Sequence, residues 1–476
     1  MTNMSPREYN ASTQNWAIVQ DQRGLMYVGN SKGVLEFDGV YWRLILLPNK
    51  AAARSLALFH DNTIYVGGKG ELGYLASDST GTLIYNSLLP LLPETAQEFG
   101  DVWEALVVGQ HIFFRTSERL FRYTPHQSPG QGEFYTWQPQ ERFHVAFQAH
   151  NTLYVRDVGT GLFSVVEDSL TLLPNSQRFA NESLYTALPI SASASWLVTR
   201  TQGLLLFDGT TFSIVENDIS ELLKQRRSVH AAVVSDSLIA FSTANDGLFF
   251  STLQGEIIYH VDTASGLRDN TIWYVYQDRE QGVWCALNDG IARIEFPGPL
   301  TYFQEANGFS GSAQDLLRHQ NRLYVAASPA GSFSLGSRMT THGLSQAFFY
   351  PVEGISTQSW ELAAVDTQLL VATNTGIYSI SQERAQPLLP SESLESSFLL
   401  PSRFYPDRLF VGLFDGAAVL KNANNTWSIE TVIEGIGSEV RSMVEENAQT
   451  LWCGTRSNGV YRVHLDDVDE IGRAHV

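Results

Sequence analysis

NWAIVQDQRGLMYVGNSKGVLEF, from Asn15 to Phe37, can be laid over TIWYVYQDREQGVWCALNDGIARIEF, from Thr271 to Phe296. Trp16 meets Trp273, Ile18 meets Val275, and Gln20-Asp21 meets Gln277-Asp278. Each stretch reads as an apolar strand, a polar turn, a second apolar strand, a glycine turn and a third strand. A variable outer segment follows. That unit is one four-stranded blade, and its recurrence along the chain decides the fold.

The core of the unit, an L-Y/W-V-G-T strand followed by a loop, a glycine and another strand, occurs eleven times. Copies include TIYVGGKGELGYL (Thr63–Leu75), HIFFRTSERLFRY (His111–Tyr123), SWLVTRTQGLLLFDG (Ser195–Gly209) and LWCGTRSNGVYRV from Leu451. The inter-strand glycine runs from Gly33 to Gly459, 426 residues in ten steps, or about 43 per repeat. A period of that length with several short strands is propeller spacing. Helical HEAT-like repeats share the period but need apolar residues every 3.6 positions, and these segments alternate or run apolar for four to six residues. Asp38-Gly39, Asp208-Gly209 and Asn458-Gly459 are hairpin turn pairs. Blade 3 has Arg119 where the glycine belongs, and blade 8 reads as irregular around Pro329–Gly343.

Seven motifs precede Phe296, and Pro297-Gly298-Pro299 follows as a linker. The expected organisation is all-β: a seven-bladed β-propeller over 1–298, then a partial second β-propeller of four blades over 299–469. The last residues, 470–476 (EIGRAHV), do not continue the blade pattern. They match the translation of a sequencing-library adapter and are expected to be an artefactual tail.

Composition agrees with many strands and turns. Of 476 residues, 12 % are aromatic, and glycine (37) far exceeds methionine (5). The formal net charge of −19 opposes binding to a phosphate backbone, so no nucleic-acid partner is expected. No apolar run approaches the length of a membrane span, and this segment is expected to make no membrane contact. Cys285 and Cys453 stand at one register, in VWCAL and LWCGT, as small buried hydrophobes. The eleven histidines show no zinc spacing. No metal or cofactor is expected.

With eleven copies in one register, the chain resembles the two-component regulator propeller repeat family over about residues 12–469. QNWAIVQDQRGLMYVGNSKGVLEFDGVYWRLI is especially similar to the first blade of such sensors. The resemblance implies two propellers forming the extracytoplasmic, periplasmic part of a membrane-anchored receptor. It implies a tyrosine-rich β-sandwich, a membrane span and an output domain beyond them, often a histidine kinase, with homodimerisation through that C-terminal part.

Two motifs that look chemical read as blade hairpins. Gly68-Lys69-Gly70-Glu71-Leu72-Gly73 matches G-x-G-x-x-G, but a strand and turn follow it where a phosphate site needs a helix N-terminus. Gly29-Asn30-Ser31-Lys32-Gly33 matches G-x-S-x-G without the strand–helix elbow that exposes a nucleophile. Asp246, Asp289 and Asp415 each precede a glycine and read as turn formers.

Propeller ligands usually enter at the mouth of the central channel, where the innermost strands begin. Counting back ten or eleven residues from the second residue of each LYV strand gives Trp16, Arg54, Trp103, His144, Tyr185, Arg227 and Trp273. All seven are large and aromatic or cationic. Trp360 and Arg441 hold the corresponding places in the second repeat array. Trp16 to Trp273 and Trp103 to Trp360 are both separated by 257 residues. Such rings either wedge between blades as packing or line a pocket for a small polar ligand such as a saccharide. Three functions are therefore weighed. A non-catalytic ligand-binding sensor region uses the ring directly and passes a conformational bias to the output domain. A propeller enzyme acting on carbohydrate (glycoside hydrolase or lyase) needs paired carboxylates, which the ring lacks. A protein-interaction scaffold needs a plugged channel.

Overall fold

The computed structural model describes residues 1–126, 130–235, 237–296, 298, 300–340, 342–390 and 394–465. The chain divides into two compact units, Met1–Pro299 and Leu300–Val476. Pro297, Pro299 and the 470–476 tail lie outside the described residues.

In the first unit the described residues form seven four-stranded antiparallel sheets. Six follow the chain directly, over 15–45, 53–87, 104–137, 143–172, 184–215 and 228–261. The seventh takes three strands from 272–295 and its outermost strand, Thr2–Met4, from the N-terminus. We number these sheets as blades 1 to 7. Their innermost strands neighbour one another in order, and Asn15–Gln20 of blade 1 meets Ile272–Gln277 of blade 7. The fold is a β-propeller.

Each central strand is covered on both faces by neighbouring blades. Met26–Asn30 and Gly282–Leu287 are buried along their whole length. That double burial is why the LYVG motif runs apolar instead of alternating. Apolar layers lie between consecutive blades. The layer joining blades 7 and 1 packs Ile18, Val28 and Leu35 against Trp284, Ala286 and Ile291. Blades 1 and 7 also share a buried aspartate. Asp278 accepts from Gly282 N (2.6 Å), Trp284 Nε1 (2.8 Å) and Arg293 Nε (2.8 Å), and Asp21 accepts from Leu25 N (3.1 Å).

The repeated glycine has a steric cause. At Gly33, φ is +146°, and a Cβ would stand 2.4 Å from the carbonyl oxygen of Ile45 in the outer strand. At Gly247, φ is +73°, and a Cβ would stand 2.1 Å from the carbonyl oxygen of Val261. The outer strand closes onto the inter-strand turn at a distance only glycine permits.

Three features depart from the sequence reading. The N-terminal strand Thr2–Met4 pairs Thr2 with Arg293 and Met4 with Ile291, whereas the outer part of every blade was expected after its own third strand. Three polar-flanked residues carry no periodic signal, so the pairing was invisible. An α-helix, Asp218–Gln225, stands between blades 5 and 6, capped by Asn217, whose side chain accepts from Ser220 N (2.9 Å). The supposed irregular insertion in blade 8 is a long regular hairpin, in which Gly331–Met339 pairs with Ser345–Pro351. Serines alternating with Phe333 and Leu335 hid its apolar face.

Taken by itself, the second unit holds, among the described residues, three four-stranded sheets, over 312–351, 359–387 and 396–433, and a three-stranded sheet over 440–464. Cys285 and Cys453 are both fully buried, and burial pushes each thiol up to about 12.

Candidate functional site at the propeller channel

A β-bulge recurs at the start of the innermost strands. Register shifts fall at Asn15/Ala17, Ala53/Ser55, Phe143/Val145, Leu184/Thr186 and Ile272/Tyr274. The skipped residues are Trp16, Arg54, His144, Tyr185 and Trp273. A bulge leaves one residue outside the ladder and re-aims its side chain. Trp103 immediately precedes Glu104–Val108, and its N–H donates to Arg115 O at 3.0 Å.

Blade 6 differs. Its shift, Ser228/Ala231, skips Val229 and His230. Arg227 O accepts from Ala244 N (3.0 Å), as Ser183 O does from Arg200 N (2.9 Å) and Thr271 O from Asn288 N (3.0 Å). Arg227 therefore stands in register with residues two places before Tyr185 and Trp273, and Val229 holds the ring position. A bulge of two residues instead of one moved the count, and nothing in an apolar strand pattern announces its width.

Trp16 is the centre of an aromatic cluster. Its ring lies 5.1 Å from Trp273 at 31° and 6.1 Å from Trp103 at 75°. The Arg54 guanidinium carbon sits 4.1 Å from the Trp16 centroid and 5.2 Å from that of Trp103. Cation–π contact to two indoles holds that guanidinium, and its Nε donates to Asp101 Oδ1 at 2.7 Å. Trp16 Nε1 donates to Ser31 Oγ at 2.9 Å. Trp273 Nε1 and Arg54 Nη1 are buried and find no partner among the described residues. Trp103 remains 39 % exposed.

These residues border a central cavity of about 750 Å³ to which all seven innermost strands contribute. Trp16, Arg54, Trp103, Tyr185, Arg227 and Trp273 line it. His144 lines two adjoining hollows of about 400 and 500 Å³, and Tyr185 and Arg227 border all three. Among the described residues lining these spaces, Glu104 is the sole carboxylate, and it is ion-paired with Arg115.

Two channel histidines are held neutral. Burial, reinforced by Arg156, Arg115 and Arg142, lowers His144 to about 4. Burial alone lowers His230 to about 4. His230 stacks on Tyr274 at 4.0 Å and accepts from Val275 N through Nδ1 at 3.3 Å, which requires its neutral form. Burial raises Tyr274 to about 12. His230 and Tyr274 escaped the sequence reading, which took one residue per blade.

The second unit repeats the device. Register shifts at Ser359/Glu361 and Val440/Ser442 skip Trp360 and Arg441. Arg441 lies 5.5 Å over the Trp360 ring. Beside Trp360, burial and the nearby Asp315 raise Glu361 to about 7.

No protein-family model and no curated protein matches the sequence. Among solved structures, the chain is similar to the extracellular domain of a protein from B. thetaiotaomicron assigned as a hybrid two component system. The TM-score is 0.68 at 16 % identity, over 100 % of this chain and 66 % of that one. A second such extracellular domain from B. thetaiotaomicron aligns at TM-score 0.47 and 14 % identity, over 95 % and 64 %. An ancestral GH74 enzyme aligns at TM-score 0.42 and 12 % identity, over 99 % and 84 %. The chain thus spans just under two thirds of the length of the two extracellular domains. At these identities the likeness establishes the fold, and the fold it establishes is the β-propeller.

Proposed function

We propose that this chain is the ligand-binding, non-catalytic sensing region of a bacterial signal-transduction receptor, exposed outside the cytoplasm. The observation that carries the reading is the cluster of Trp273, Trp103 and Arg54 around Trp16, set at a cavity of about 750 Å³. That volume is ordinary for a small-molecule site, and flat aromatic faces with a few polar anchors suit a small polar ligand such as a saccharide. The alignment of the whole of this chain with about two thirds of an extracellular domain assigned to a hybrid two component system supports the sensing context. Among the described residues no helix is long and apolar enough to cross a membrane. The pairing of Glu104 with Arg115 favours binding over glycoside hydrolysis, which ordinarily needs two carboxylates across the bond to be cleaved.

The reading is tested by a thermal-shift screen of neutral and acidic mono- and oligosaccharides on the whole chain, followed by Trp16→Ala and Trp273→Ala. A hit whose affinity falls at least about tenfold in either variant supports it. A hit whose affinity ignores both substitutions refutes the site. Turnover of the hit would replace binding by catalysis.

A further inference from the structure

The hollow of about 500 Å³ beside the channel is lined by Arg142, Arg200, Lys224, Arg226, Arg227 and His144, and its nine lining residues include no carboxylate. The chain as a whole carries a net charge of −19. Concentrating cations in one concavity of an acidic protein sets like charges against each other, which costs stability unless something negative offsets it.

Two of these cations are already matched. Lys224 pairs with Glu221, and Arg226 Nε lies 2.8 Å from Asp246 Oδ2. The side chains of Arg142, Arg200 and Arg227 make no ion pair or hydrogen bond with any described residue. They come from three successive blades and share one hydrogen-bonding layer. Arg142 O accepts from Val158 N and Arg227 O from Ala244 N, each at 3.0 Å, and Arg200 N donates to Ser183 O at 2.9 Å. The blade architecture therefore places the three guanidinium groups together. His144 Nδ1, buried at the same wall, has no partner either.

Resting on the sensing reading above, we propose that this hollow is an anion subsite. The ligand of the channel carries a carboxylate, sulfate or phosphate group that the free guanidinium groups of Arg142, Arg200 and Arg227 grip. The rest of the ligand extends past Tyr185 toward the indoles. Guanidinium forks match the planar, paired oxygens of such groups, and charge-assisted bonds of this kind are stronger than neutral ones. Tyr185 and Arg227 border both spaces, so one molecule can occupy them together.

Calorimetric titration of the whole chain with digalacturonate, a sulfated disaccharide, inorganic pyrophosphate and neutral cellobiose tests this. At least one of the three anions binds, and its affinity drops about tenfold or more in Arg142→Gln/Arg200→Gln/Arg227→Gln. These three residues are exposed, so the variant keeps the wild-type melting temperature within about 2 °C. In the wild type the anion's affinity also falls as sodium chloride rises from 50 to about 300 mM. Pyrophosphate binding alone points to a phosphate ligand, and uronate or sulfate binding to an acidic saccharide; both support the subsite. Failure of all three anions to bind overturns it, as does anion binding that the triple substitution leaves intact. Binding of cellobiose that needs Trp16 but ignores the arginines overturns the anion subsite while leaving the sensing reading in place. Binding of digalacturonate or the sulfated disaccharide that is lost in the triple variant but indifferent to Trp16→Ala and Trp273→Ala does the reverse.

Discussion

Blades 7, 1, 2 and 3 meet the channel with three indoles, two of them against the Arg54 guanidinium. Blades 4, 5 and 6 meet it with a neutral histidine, a tyrosine and arginines that have no carboxylate partner. One ring of innermost strands thus carries two kinds of surface. On the aromatic side the bulge residues pack on each other and close the joint between blades 7 and 1. On the other side His144 and Tyr185 border open space, and its charge comes from Arg142, Arg200 and Arg227, which lie outside the bulges. A repeat protein can hold its frame with some copies and reserve others for recognition, because each blade needs only its neighbours for packing.

The largest expected effect separates structure from recognition. Trp273→Ala and Trp16→Ala remove a half-buried indole from a cluster of tilted and edge-on rings and should each destabilise by about 3 kcal/mol in urea unfolding. Arg227→Ala, at an exposed and unpaired side chain, should stay within about 0.5 kcal/mol. Equal losses on the two sides would break the comparison.

Acid should act on two histidines of the second side, one in blade 4 and one in blade 6, by different routes. His144 and His230 have folded-state values lowered to about 4. Their neutral forms contribute fully above an unfolded value of about 6.5, and that contribution is lost as pH falls from there toward 4. The loss should be on the order of 2 kcal/mol for the two together after allowing for solvent at both rings. NMR titration distinguishes the two routes. About 0.5 M salt or Arg142→Gln should raise the His144 value, because arginines help depress it, and leave His230, governed by burial alone, unmoved.

Arg54→Lys probes the join between the two characters. It keeps the charge but loses the planar contact to Trp16 and Trp103, and should cost about 1 kcal/mol by thermal denaturation. The smallest effect has the opposite sign. Arg142→Gln or Arg200→Gln should stabilise the ligand-free chain by a few tenths of a kcal/mol at low ionic strength, fading as salt is added. Destabilisation by either substitution would show these arginines to be structural.

Much of this was legible in the sequence because the propeller repeats its physics. The apolar LYVG strand follows from burial on both faces, and the glycine after it follows from the outer strand's carbonyl closing on the turn, as at Gly33. The register of Trp16 and Trp273 could be read by overlay because both lie in blades with one-residue bulges. Arg227 was misplaced because the blade 6 bulge takes two residues. Thr2–Met4 and the helix Asp218–Gln225 are singular elements, and no period reveals something that occurs once. The segregation of indoles from free arginines depends on which blades neighbour each other and which side chains lack partners, and only coordinates contain that information.

The most direct test of the account is a crystal structure of the chain with the tightest-binding saccharide from the screen. The ligand is expected in the central cavity, with a sugar face against Trp16 or Trp103 and polar groups reaching Arg54, Tyr185 or Arg227. A ligand seated on the outer edges of the blades, with the channel unoccupied, would contradict it.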